Sequence, residues 1–135
     1  MPVSLDILEQ GHVFAVHISD PWTTEELIAI QGRTRPHRAS VDFPVHSLLN
    51  VKATRTVPPG ILRARHMPAF SAQGTAYIAV VGGGGLARMM FELVRRLVNF
   101  DRVEYFDDET EGLAYLRRLI AAEQNVPQPE NPRSN

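Results

Sequence analysis

Cysteine is absent from this chain of 135 residues. Its absence excludes disulfide bridges, a thiolate nucleophile and any zinc or iron–sulfur site built on cysteine. Aromatic residues are few, at 7%, and no apolar run comes near the roughly 20 residues that a membrane-spanning helix needs. The amino-terminal residues also lack the basic and then apolar stretches of a signal peptide. We therefore expect a cytoplasmic protein with no membrane span.

The length and the ordinary composition of the chain predict one globular domain. Hydrophobic residues make up 44% of the sequence and charged residues 21%, which is typical of a protein that folds around a core of its own. From Gln124 onward the sequence turns polar and contains three prolines, a composition that rarely buries enough apolar surface to fold. We therefore expect a domain over residues 1–123 and a disordered tail over residues 124–135.

Acidic and basic residues nearly balance, at a net charge of −1, but they are unevenly distributed. Residues 33–66 contain seven of the 14 Lys and Arg residues and a single acid, Asp42. If these side chains converge in the fold, their field attracts an anionic ligand or an acidic partner. If they do not, they are ordinary solvated loop charges. Nucleic acid is not the expected partner, because the chain is not basic overall and this segment has few aromatic residues for base stacking.

Alternating strands and helices in the second half of the chain predict an α/β sheet. A buried-looking strand at Tyr77–Val81 is followed by an amphipathic helix, a short strand at Arg102–Phe106 and a last helix, the order that builds a parallel sheet. The first half adds a hairpin that turns near Gln10-Gly11, a helix with a capping box at Thr23, and a third strand. The predicted strands cover residues 5–8, 12–19, 45–51, 77–81 and 102–106.

The helix that follows the fourth strand separates its polar and apolar residues. One face is apolar and comprises Leu86, Met90, Leu93, Val94 and Leu97. The other face carries arginine, glutamate and asparagine side chains. This is the pattern of an amphipathic helix that lies on a sheet.

Four glycines, Gly82, Gly83, Gly84 and Gly85, lie between the fourth strand and this helix. Successive N–H groups at a helix start can bind an anion, and glycine lets a ligand approach the backbone. A tight structural turn explains the same residues. A dinucleotide site is not expected, because no Gly-Lys-Ser/Thr is present and the chain after the motif is too short for a dinucleotide fold. The glycines are candidate ligand-binding residues, and no cofactor is predicted.

No group of catalytic or metal-binding residues stands out. The five histidines are scattered, and none pairs with an acid at helical spacing, so no metal site is predicted. The nucleophile elbow of serine hydrolases is absent. The acids crowd at helix starts, where capping explains them. We therefore expect a protein that is not an enzyme.

Thr54 and Thr56 follow the third strand and precede Pro58-Pro59, a dipeptide that favours the start of a helix. A phosphate at either threonine would lie near a helix N-terminus and near Arg55 and Arg63. Two hydroxyls that simply stabilise the turn are the alternative. Both threonines are candidate phosphorylation sites.

Four segments of the chain carry a resemblance: the strand "HVFAVHIS", the segment "VHSLLNVKATRTVPPG", the strand "TAYIAVVGG" and the ending "RVEYFDDETEGLAYLRRLI". They resemble the SpoIIAA-like, or STAS-type, domain family. The resemblance implies an α/β single domain with a mixed four- to five-stranded sheet packed with helices, and a role in binding or regulation. In anti-sigma-factor antagonists of this group a serine after the third strand is phosphorylated. This chain has Thr54 and Thr56 in that region, and neither the serine nor the acid before it.

The function that follows is a non-enzymatic regulatory or interaction domain of the anti-sigma-factor-antagonist type that binds a protein partner. Arg55, Arg63 and Arg65 are the expected contact residues. The alternative is a domain that binds a small anionic or amphipathic molecule between Gly82–Gly85 and the strand ends. Self-association into a homo-oligomer is also open, because an apolar sheet with an exposed edge invites a partner.

Overall fold

A computed structural model describes residues 3–55, 57–66, 76–82 and 85–125 of the chain, as one mixed sheet with helices on both faces. The strands are β1 (Val3–Leu8), β2 (Val13–Ser19), β3 (His46–Ala53), β4 (Ile78–Val81) and β5 (Val103–Phe106). The α-helices are α1 (Thr24–Gly32), α2 (Arg35–Ser40), α3 (Gly85–Leu97) and α4 (Glu109–Asn125). Between β3 and β4 lies a 3-10 helix at Ile61–His66, called the basic 3-10 helix because it carries Arg63, Arg65 and His66.

The five strands lie in the sheet in their order along the chain. β1 pairs antiparallel with β2, and β2, β3, β4 and β5 pair in parallel. The hairpin at the start and the mixed α/β sheet are therefore confirmed. Each parallel connection carries a helix, as a crossover between parallel strands requires.

The sheet separates two hydrophobic cores. The first core joins Ile18 and Val80 of the sheet to Leu27 of α1 and Val94 of α3. The second core packs Val13, Ala15, Leu48 and Val81 against Leu116 of α4. Since neighbouring residues of a strand point to opposite faces, β2 contributes to both cores. β2 is thus a central strand that is covered on both sides.

Two helix starts have the caps that their sequences predict. At α1 the Thr23 hydroxyl accepts a hydrogen bond from the N–H of Glu26 at 3.1 Å, and the Glu26 carboxylate accepts one from the N–H of Thr23 at 2.8 Å. At α4 the carboxylate of Asp108 accepts from the N–H of Glu111 at 2.9 Å. These contacts satisfy N–H groups that have no partner inside the helix.

Two helices follow each other closely between β2 and β3. α1 ends at Gly32, and a new helix begins at Arg35, with Pro36 in its first turn. Proline is tolerated there because the first N–H groups of a helix make no intrahelical bond. The short helix places the Arg38 guanidinium on the carbonyl of Val45 at 2.7 Å, and burial lowers the Arg38 pKa to about 10.

The carboxyl-terminal helix is longer than the predicted domain boundary at residue 123. α4 continues to Asn125, because Leu116 and Ile120 hold it in the second core and the sequence contains no proline between residues 109 and 126. Residues 126–135, the rest of the predicted tail, lie outside the described part of the chain. Within the described part, none of the helices has both the length and the hydropathy for crossing a membrane.

Candidate functional site

Thr54, one of the two candidate phosphorylation sites, lies in the interior of the fold. Thr54 is 2% exposed to solvent. The hydroxyl donates to Asp20 at 2.6 Å and accepts from the indole N–H of Trp22 at 2.8 Å. In this conformation the hydroxyl is used to tie the loop after β3 to the loop after β2, which argues against Thr54 as a phosphate acceptor. Thr56 lies outside the described residues.

Gly82 and Gly85 have different roles at the two ends of the glycine loop. Gly82 has a φ of +75°, and a Cβ at this position would lie 2.1 Å from the Lys52 side chain. Its N–H already donates to the carbonyl of Phe106 at 2.8 Å, so that amide is not directed at an anion. Gly85 is the first residue of α3, and its Cβ position is open. Gly83 and Gly84 lie outside the described residues.

Two of the three predicted partner-binding arginines come together on the basic 3-10 helix. Arg63 forms an ion pair with Glu25 of α1, and this contact lowers the pKa of the Glu25 carboxyl. Arg65 donates to the carbonyl of Leu62 at 2.9 Å and is exposed. Arg55 belongs to the loop after β3, where its N–H donates to Asp20 at 2.8 Å.

A polar cluster at the sheet fastens the start of α4. The Nε2 atom of His17 lies 2.7 Å from the Glu109 carboxylate, and its Nδ1 atom lies 3.9 Å from that of Asp6. Asn50 donates to the same Glu109 oxygen at 2.7 Å. Burial pushes the pKa of Glu109 up, but the hydrogen bonds from Asn50 and His17 outweigh it and leave the pKa below its usual value. His17 of β2 and Asn50 of β3 thus hold one carboxylate oxygen at the start of α4 against the sheet.

The apolar face of α3 divides into two rows, and only one of them is covered. Met90, Val94 and Val98 face the interior, and Val94 is 3% exposed. The neighbouring row is exposed and is here called the apolar stripe: Met89 at 59%, Leu93 at 44% and Leu97 at 54%. The expectation that Leu93 and Leu97 share the packed face of Val94 is therefore wrong. The sequence carries a signal for the second row, since apolar residues at 89/90, 93/94 and 97/98 form an arc wider than one row of contacts.

α3 is fixed in this orientation by contacts to β5. The Glu92 carboxylate accepts two hydrogen bonds from Arg95, at 2.7 and 2.8 Å, and a third from the Tyr105 hydroxyl. Arg95 lowers the pKa of Glu92 to about 2, even though burial acts in the opposite direction. Arg96, at 3.8 Å from Glu92, is 73% exposed beside the stripe. The stripe is thus a fixed surface with a basic edge.

The basic 3-10 helix packs against the same helix, so charge and apolar area lie on one side of the molecule. Leu62 on this element is 40% exposed and adds to the apolar area. This face combines two properties of a recognition surface: exposed large apolar side chains and neighbouring cations. Among the described residues, no group of three histidine, aspartate or glutamate side chains is placed to hold a metal ion.

Comparison with known proteins assigns no family. The chain matches no model of a protein family, and no curated protein is similar to it.

Proposed function

We propose that this chain is a non-enzymatic binding domain that holds an acidic, amphipathic segment of another protein. The contact surface comprises the apolar stripe Met89, Leu93 and Leu97, with Arg96 on the same helix and Arg65 on the neighbouring basic 3-10 helix. The observation that carries the proposal is the row of three exposed apolar side chains on a helix whose other apolar row packs into the first core. The mixed five-stranded sheet is in keeping with a STAS-type domain, and that family and a cytoplasmic location stay predictions.

The spacing of the stripe fits recognition of a partner helix or extended segment. Residues at i, i+4 and i+8 lie on one line along a helix. Such a line presents large side chains to the anchor residues of a partner, the geometry used when an amphipathic helix binds a groove or a second helix. Isolated exposed leucines are common on protein surfaces, whereas three in a row are not explained by chance exposure.

The charges around the stripe favour an acidic partner. Arg65 and Arg96 are both exposed, and the ion-pair contact of Arg96 within the described part of the chain is a 3.8 Å approach to Glu92. Complementary charges at the rim of an interface speed association and exclude wrong partners. A second copy of this chain in a two-fold contact would place like charges against each other, which opposes self-association through this face.

The same face is poorly suited to an anionic membrane. Polybasic segments that bind lipid headgroups use clusters of about four to eight Lys or Arg side chains. Arg63 is already paired with Glu25, and the chain as a whole has a net charge of −1. Few cations therefore face outward here, and a protein segment is the partner that the chemistry favours.

A photo-crosslinking experiment tests the proposal directly. p-Benzoylphenylalanine replaces Leu93 in one variant and Ile7 in a control variant, because Ile7 is also exposed, at 57% against 44% for Leu93, but lies on β1. After irradiation in cells of the organism of origin, mass spectrometry identifies the captured segment. We expect an acidic segment with apolar residues at helical or alternating spacing, captured at position 93 and not at position 7.

Binding of that segment as a synthetic peptide measures the contribution of each part of the surface. Leu93→Asp should weaken binding at least about tenfold, because a buried anchor is lost. Arg65→Glu should weaken it less and reduce its dependence on salt. Arg118→Glu, an exposed site on α4, is the control and should change nothing. Crosslinks from position 93 to lipid or to a second copy of the chain would overturn the proposal, as would the absence of any specific adduct.

A further inference from the structure

A cavity of about 60 Å³ lies inside the first core, between the sheet and the elements that cover it. Ile18 and Val80 form its floor on the sheet. Ala64 of the basic 3-10 helix and Val94 of α3 form its roof, and Trp22 lies at its side. Protein interiors seldom leave such gaps, because packing there is as dense as in organic crystals. The atoms that line an empty cavity lack van der Waals contacts on one side, and a ligand of the right shape restores these contacts.

The chemistry of the walls selects a hydrocarbon. Of the 13 lining residues only Thr54 and Trp22 carry a polar side-chain atom, and these two atoms hydrogen-bond to each other at 2.8 Å. A water molecule needs two to four polar partners to be stable in a protein interior, and apolar cavities stay dry. The cavity therefore suits carbon and hydrogen.

The size and the position of the cavity indicate which part of a ligand it takes. An engineered apolar cavity of about 150 Å³ binds benzene, so a cavity of about 60 Å³ suits a smaller group, such as the last carbons of an aliphatic chain. Trp22 also lines a second, open groove on the surface, together with Thr23, Pro58 and the ion pair of Arg63 and Glu25. A chain that leaves the cavity past Trp22 would reach this groove, where a polar head can be solvated.

We infer that the cavity of the first core is a binding site for the aliphatic end of a small amphipathic molecule, with the head group at the groove beside Trp22. This site is separate from the glycine loop and from the apolar stripe. It does not depend on the proposed protein partner, since the cavity lies beneath the basic 3-10 helix and α3, while the stripe is on the outside of α3.

The test uses 1-octanol and octanoate as probes, which share the chain and differ in the head. Trp22 is the only tryptophan of the chain, so its fluorescence reports on the cavity wall without a label. Methyl NMR of the same samples locates the ligand. We expect saturable binding of at least one probe, with shifts of the methyl groups of Val80 and Val94 and none at Leu116 in the second core.

Variants of one wall residue decide whether the cavity itself is occupied. Ala64→Val adds two methyl groups to the wall and should weaken binding at least tenfold, while Ala122→Val, at an exposed position on α4, should leave binding unchanged. Circular dichroism verifies that both variants fold. If Ala64→Val does not fold, the methyl shifts measured on the unaltered chain still locate the ligand. Binding of both probes supports a site that holds the aliphatic chain and accepts either head group. Binding of one probe shows whether the site takes a neutral or a charged head group. Absence of saturable binding, or equal methyl shifts in both cores, would overturn the inference.

Discussion

At the scale of single residues, His46 shows how burial decides a charge. Its side chain is inaccessible, yet its Nε2 atom lies 2.9 Å from the carboxylate of Glu123. The N–H of Tyr77 donates to Nδ1 at 2.9 Å, so Nδ1 is an acceptor and the proton of the neutral ring resides on Nε2. Burial lowers the pKa of His46 to about 4, with smaller contributions from His12 and Arg38. The contact to Glu123 is therefore a hydrogen bond from a neutral ring that joins β3 to α4.

This assignment predicts a loss of stability in weak acid. The folded pKa of His46 is lower than the unfolded value near 6.5, so its contribution is complete above pH 6.5 and is lost as the pH falls toward about 4. The protonation of His46 should lower the free energy of unfolding of the unaltered chain by on the order of 2–3 kcal/mol over this pH range. Urea denaturation at a series of pH values measures this change. In His46→Gln this component should disappear, whereas it should persist in the control His66→Gln, at an exposed site. If the free energy of unfolding depended on pH equally in all three proteins, this role of His46 would be contradicted.

At the scale of elements, the turn from β4 into α3 sets where the candidate surface lies. Gly82 adopts a left-handed φ while its amide joins the end of β4 to β5. Lys52 of β3 packs so closely that no side chain fits at Gly82. Three residues later Gly85 begins α3 in open space. The backbone geometry thus requires glycine at position 82, whereas position 85 has room for a side chain.

Alanine substitutions at these two positions should have opposite effects. Gly82→Ala should lower the free energy of unfolding by about 1–3 kcal/mol, because a left-handed conformation and a close contact with Lys52 both oppose a Cβ. Gly85→Ala should leave it unchanged or raise it by up to about 1 kcal/mol, since alanine favours the helix. Thermal and urea denaturation of the two variants measures both effects. A Gly82→Ala variant as stable as Gly85→Ala would show that the turn has another conformation.

At the scale of the whole molecule, one sheet supports two cores, and this should make unfolding cooperative. Val80 and Val81 are neighbours on β4, and they belong to the first and the second core respectively. Removing either layer exposes the opposite side of the same strands to water. The position of Trp22 at the first core lets the two layers be followed separately.

A change in the second core should therefore be reported by Trp22 in the first. Leu116 is completely buried, so Leu116→Ala should cost about 2–5 kcal/mol. The urea midpoints of Trp22 fluorescence and of circular dichroism should shift together. Leu97→Ala, at an exposed position on α3, is the matched control and should change stability by no more than about 0.5 kcal/mol. Separate midpoints in Leu116→Ala would show that the layers unfold independently.

The sequence by itself determined the local structure of this protein. The hairpin, the order of strands and helices, the capping box at Thr23 and the cap at Asp108 all follow from interactions between residues close in the chain. The apolar residues at successive positions of β2, Val13, Phe14, Ala15 and Val16, are likewise the pattern of a strand covered on both faces. Such features can be predicted from the sequence, because the periodicity of side chains along a strand or helix and the capping of a helix depend on the spacing of residues within one element.

Only the tertiary structure decided which of these residues are available for binding. The two apolar rows of α3 look alike in sequence, and the sheet covers one of them and leaves Leu93 exposed. Thr54 reads as a surface hydroxyl, yet Trp22 and Asp20 enclose it. The cavity beside Ala64 is lined by six elements, β2, α1, β3, the basic 3-10 helix, β4 and α3, which together span residues 18–94 of the chain. Exposure, enclosure and empty volume depend on how elements pack against one another, and that packing is a property of contacts between residues far apart in sequence.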